Sequence, residues 1–140
     1  MGYRLGRLID HVGLRVDDFP AVRQFYLAVF EALGRASEVH DADDELSLDE
    51  LYIGPRLDGG GVTANLHLCF QAPDRETVAR VHAAGMAAGG RDNGGPGLRD
   101  YHPGYYAAFL LDPAGNNLEV KVDERVTGRS AEAVDVTTGS

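Results

Sequence analysis

The chain has 140 residues, 13 of them Lys or Arg and 22 Asp or Glu, for a formal charge of −9; 44% are hydrophobic and 25% charged. This composition can bury a core without disulfides, excludes wholesale disorder, and lacks the basic face that nucleic-acid binding requires. The length suits one domain or two small ones, and no apolar run approaches the roughly 18 residues of a membrane span.

The opening MGYRLGRLIDH has no apolar signal-peptide stretch and Cys69 is the single cysteine, so a reducing, cytoplasmic setting is expected. Leu8 to Val16 alternates like a half-buried strand, with Leu8, Val12, Leu14 and Val16 on one face and Ile9, His11, Gly13 and Arg15 on the other. Asp17 and Asp18 offer an N-cap and Pro20 suits the first turn of a helix. Val22, Phe25, Tyr26, Val29, Phe30 and Leu33 then form one helical stripe ending near Gly34. The window 36–55 holds Glu38, Asp41, Asp43, Asp44, Glu45, Asp49 and Glu50 and no Lys or Arg, which reads as a solvated acidic connection. A weak alternating strand over 45–57 sets Leu51 and Ile53 against Glu50 and Tyr52.

The first pattern is then written again. Ala64 to Gln71 alternates, with Leu66, Leu68 and Phe70 opposite Asn65, His67, Cys69 and Gln71. Pro73 and Asp74 open a helix whose stripe is Val78, Val81, Gly85 and Ala88, closing at Gly89 and Gly90. At one constant offset His11 matches His67, Asp18 matches Asp74, Val22 matches Val78 and Gly34 matches Gly90, so the chain reads as two copies of a unit. Residues 91–104, rich in Gly and Pro, read as a functional loop rather than a core element. Tyr105 to Leu111 reads as an aromatic strand, 112–116 as a turn and Asn117 to Val122 as a strand. The tail after Glu124 has no apolar period and reads as surface chain.

Strand alternation places chemistry on one face. His11, His67 and Glu119 all point away from the apolar faces of their strands, so helices packed on those faces leave all three projecting from the opposite side. Two imidazoles and a carboxylate can hold a divalent metal facially with coordination positions left open. His102, beside Tyr101, Tyr105 and Tyr106, is a candidate acid/base group. Arg15 and Lys121 point the same way as the ligand set and are candidate contacts for an anionic substrate, with Tyr105 a further substrate contact. Tyr26, His82 and His40 read as packing or solvent-facing residues, and Cys69 as a small buried one.

IDHVGLRV before a helix, NLHLCF before a helix, and FLLDPAGNNLEV together resemble the vicinal oxygen chelate superfamily, which includes glyoxalase I, extradiol dioxygenases and bleomycin-binding proteins. The resemblance implies an α+β fold: two tandem βαβββ modules, about 7–57 and 62–123, forming a curled mixed sheet around a cleft, with one helix per module on the outer face. It implies a single domain over 1–123 followed by a tail over 124–140, and a homodimer. It implies one divalent ion per chain (zinc, nickel, iron or manganese) held by His11, His67 and Glu119. That ion would act as a Lewis acid on neighbouring oxygens of a small-molecule substrate, in lyase, isomerase or ring-cleaving chemistry. A fourth ligand position falls on Glu50 or Tyr52, with three ligands the favoured count. The rival expectation is a metal-free drug- or metabolite-binding protein of the bleomycin-resistance type.

Overall fold

Two β-α-β-β-β units follow one another along the chain, in a computed structural model that describes residues 2–3, 8–130 and 136–139. The first comprises β1 (Val12–Val16), α1 (Phe19–Ala32), β2 (His40–Ala42), β3 (Glu45–Leu48) and β4 (Leu51–Pro55). The second comprises β5 (His67–Gln71), α2 (Arg75–Ala87), β6 (Arg91–Leu98), β7 (Tyr105–Leu111) and β8 (Asn117–Asp123). The strands form two four-stranded sheets, ordered β1-β4-β3-β2 and β5-β8-β7-β6. In each, the first strand runs parallel to the last and the remaining neighbours are antiparallel. The repeated α+β unit is therefore as expected, with the sheets separate rather than merged.

Both helices begin where the sequence marks them. Asp18 accepts the N–H of Ala21 at 3.3 Å and Asp74 that of Thr77 at 2.7 Å, each meeting a donor that the first helical turn leaves without a backbone partner. The α1 stripe of Val22, Phe25, Tyr26, Val29 and Phe30 is buried, and with Val78 and Val81 of α2 it joins one core with Leu14, Ile53, Leu110, Leu118 and Val120. Gly85 lets α2 approach closely: a Cβ there would run into Leu110 and lie 3.1 Å from the Phe25 ring. Tyr26 is fully buried, and its hydroxyl donates to Asp112 at 2.6 Å in the turn before β8, tying the first helix to the second unit. Burial first, and then the Asp112 carboxyl, hold the Tyr26 phenol well above its ordinary value.

Three expectations change. The strand predicted from Leu8 starts at Val12, and Leu8 is 94% exposed rather than on the core face. Asp49 takes a positive φ of 50° to turn the chain, so β4 starts at Leu51 and pairing with β1 ends at Val12. From His40 onward the acidic window is not a connection but the β2-β3-β4 meander, with Glu38 in the short turn before it. Its carboxylates lie outside, where Arg35 pairs with Glu38 and with Asp49 at 2.8 Å, and Arg23 with Asp41 at 3.2 Å. The glycine-rich stretch forms β6. It is tolerated there because β6 is an edge strand, and its pairing with β7 shifts register around Gly94. Of the predicted tail, residues 131–135 and 140 lie outside the described residues, as does Arg7 at the start of the first predicted module.

Candidate functional site

The register of the second sheet builds one side of the site. β5 and β8 pair His67 with Asn117 and Cys69 with Glu119, and β7 sets Phe109 across from Glu119. Their neighbours Leu68, Leu118 and Val120 point into the core, so by alternation these side chains occupy the other face of the sheet. Glu119 is 4% exposed, and both of its oxygens are engaged. His67 Nε2 lies 3.1 Å from Oε1, and the Tyr105 hydroxyl donates to Oε2. Burial and the Glu119 carboxylate together hold the Tyr105 phenol above its usual value. Lys121 places its ammonium 4.6 Å from the centre of the Tyr105 ring. Asn117 Nδ2 donates to His67 Nδ1 at 2.8 Å, and the imidazole stacks on Phe109 with centroids 6.3 Å apart.

His102 borders this cluster. Its ring packs edge-on against Tyr105 at 5.0 Å, its Nδ1 donates to the Pro103 carbonyl at 2.8 Å, and its Nε2 is 3.8 Å from Asp123. Cys69 is exposed rather than buried, because it stands on this open face beside Glu119. Packing around its sulfur and the Glu119 carboxylate push the thiol up to about 12. His82 pairs with Asp92 at 2.9 Å, and His40 is exposed at the start of β2; neither joins the cluster.

The first sheet carries the remaining candidates. His11 precedes β1, its side chain 66% exposed and bonded to Asp10 at 2.7 Å. Arg15 lies 5.4 Å from the centre of the Tyr52 ring and donates to the Pro55 carbonyl at 3.3 Å. Tyr52 packs directly over Gly13, where any side chain would meet its ring. Gly13 pairs with Tyr52 as Cys69 pairs with Glu119, so Tyr52, not Glu50, occupies the position equivalent to Glu119. Glu50 lies exposed in the β3–β4 turn, where its carbonyl accepts the Val12 N–H at 2.7 Å.

An imidazole nitrogen and a carboxylate oxygen facing one another, as in His67 and Glu119, offer two of the donors a divalent ion takes. Within one chain the fit stops there: among the described residues, no three His, Cys, Asp or Glu are grouped to hold a metal. The structure thus brings together His67, Glu119 and Tyr105, sets His102 at their border, and leaves His11 and Arg15 on the other sheet. The Asn117 contact with His67 was not foreseen, whereas Tyr52 was one of the two residues expected at the fourth ligand position. The signal for Asn117 was its place on the Glu119 face, and that for Tyr52 its alternation with Leu51 and Ile53.

A sequence model of the glyoxalase/bleomycin resistance protein/dioxygenase superfamily matches residues 8–120. The chain belongs to that superfamily. Among curated proteins, none matches it. Solved structures of superfamily members share the fold. A glyoxalase/bleomycin resistance protein from Albidiferax ferrireducens T118 is 28% identical with a TM-score of 0.70, covering 83% of this chain and 99% of its own. A family enzyme from Burkholderia phytofirmans PsJN is 20% identical with a TM-score of 0.62, covering 81% and 97%. The lactoylglutathione lyase of Agrobacterium tumefaciens is 20% identical with a TM-score of 0.61, covering 89% and 100%. Among the described residues of this superfamily member, no helix is long and apolar enough to cross a membrane.

Proposed function

We propose that the protein is a metal-dependent small-molecule enzyme of the glyoxalase/dioxygenase type, acting as a homodimer whose ion sites are shared between copies. The observation that carries this reading is the half-built ligand set, His67 facing the buried Glu119 with no third ligand grouped beside them among the described residues. His11 is the repeat equivalent of His67, and β1 and β5 are equivalent edge strands of two separate sheets. Setting the β1 edge of one copy against the β5 edge of another would bring His11 toward His67 and Glu119, and would cover edges that otherwise invite non-specific pairing. Because Tyr52 stands at the fourth position, the count is three protein ligands.

A bound divalent ion supplies Lewis-acid chemistry to neighbouring substrate oxygens. The chain's own residues prepare the site. Tyr105 and His67 fix both oxygens of Glu119, limiting the carboxylate to one orientation. Arg15 and Lys121 put positive charge on the two open faces, suiting a substrate that carries negative oxygens. His102 is the group assigned to move protons at the rim. The chain's setting in this reading is cytoplasmic.

The test is elemental analysis of protein purified without chelator and reconstituted with zinc, nickel, iron or manganese, combined with light scattering. The expected result is a dimer with about one ion per chain, lost in His67→Ala. The rival reading, a metal-free binder of the bleomycin-resistance type, draws on the lack of a grouped third ligand among the described residues of one chain and predicts a dimer with no ion above background.

A further inference from the structure

We propose that Asn93 and Asn117 act as a two-position amide pair that selects the tautomer of His67. Asn93 Nδ2 donates to Asn117 Oδ1 at 3.0 Å, and Asn117 Nδ2 donates to His67 Nδ1 at 2.8 Å. A neutral imidazole carries one N–H, so a donor facing Nδ1 places that hydrogen on Nε2. Nε2 in turn donates to Glu119 Oε1 at 3.1 Å. The hydrogen bonds therefore run in one direction, from β6 through β8 to β5 and back to the Glu119 carboxylate, with each donor matched to an acceptor.

The same chain can run the opposite way. His67 Nδ1–H would donate to Asn117 Oδ1, and Asn117 Nδ2 to Asn93 Oδ1. Turning Asn117 alone would bring two NH2 groups face to face, so the two amides must turn together. Asn93 is exposed in the irregular stretch of β6, where its amide has room to rotate. In the reversed arrangement the Nε2 lone pair faces the Glu119 carboxylate, a repulsive pairing unless a cation sits between them. The reversed direction is thus the one that suits a cation held by His67 and Glu119. Asn117 and Asn93 are positioning residues on this account, acting through His67. The link to a cation rests on the proposed metal site, whereas the tautomer assignment does not.

The experiment is long-range nitrogen-15 NMR of His67 in metal-free protein, at a pH well above the ordinary imidazole range, with zinc titrations alongside. Wild type is expected to carry its hydrogen on Nε2. Asn93→Asp, two hydrogen bonds away from the ring, can only accept from Asn117 and should move the hydrogen to Nδ1. Asn117→Asp should do the same directly, and stands in if the first variant does not fold. Both variants should bind zinc about tenfold more tightly than wild type, the usual scale for groups that orient a metal ligand. A wild-type hydrogen on Nδ1, or an unchanged tautomer in both folded variants, overturns the proposal. A switched tautomer with no zinc binding upholds the amide pair and removes the metal site. Zinc binding with an unswitched tautomer does the reverse.

Discussion

Replacing Tyr26 by Phe removes one oxygen from a fully buried residue while keeping its ring packed on Phe25, Phe30 and Phe70. Asp112, only 1% exposed, would keep the Ala114 and Asn116 N–H groups on Oδ1, each at 2.9 Å, and lose the hydroxyl on Oδ2. A hydrogen bond to a charged group contributes about 1.5–3 kcal/mol, and no solvent reaches the site to replace it. For a domain of this size that corresponds to a fall in Tm of roughly 5–10 °C, measurable by calorimetry or circular dichroism. The pH dependence adds a second check. The Tyr26 pKa lies above its ordinary value of 10.0 in the folded chain, so near and above that pH the unfolded chain loses its proton first. Folding then holds more protons than unfolding, and wild-type stability drops as pH rises through 10. Tyr26→Phe lacks this loss, so the stability gap between the two proteins should narrow in alkali. A Tm within about 1 °C of wild type at neutral pH would refute the role of this bond in joining the first helix to the second unit.

Glu50→Ala should leave divalent-ion affinity almost unchanged, because Glu50 lies exposed in a turn and a screened surface charge has little effect at a distance. Glu119→Ala should abolish binding in the same titration, and a comparable loss from both would restore Glu50 as a ligand. Gly85→Ala would push a methyl group into Leu110 and toward the Phe25 ring, and should cost about 1–3 kcal/mol in denaturant unfolding.

The repeat and both helices were legible because their signals are local. A cap, a stripe and a closing glycine each act within a few residues, and they recur at Asp18 and Asp74. The shared face of His67 and Glu119 was legible too, since strand alternation is a two-residue rule. What failed depended on partners. Leu8 alternates correctly but has no strand to pair with beyond Leu51, and Gly94 reads as loop until β7 supplies an edge to lie on. The choice between Glu50 and Tyr52 needed the β1–β4 register, which no single strand encodes. Tyr105 as the second clamp on Glu119 required β7 and β8 to be aligned.

The shared-site claim is tested most directly by mixing two defective variants. His11→Ala and Glu119→Ala should each fail to bind the ion when assembled alone, because each breaks every site in its dimer. A hybrid of one chain of each keeps His11 on one copy and His67 with Glu119 on the other, rebuilding a single complete site. Metal analysis of the purified hybrid should find about one ion per dimer. A hybrid that stays empty, when the wild-type protein binds, would contradict a site divided between two copies.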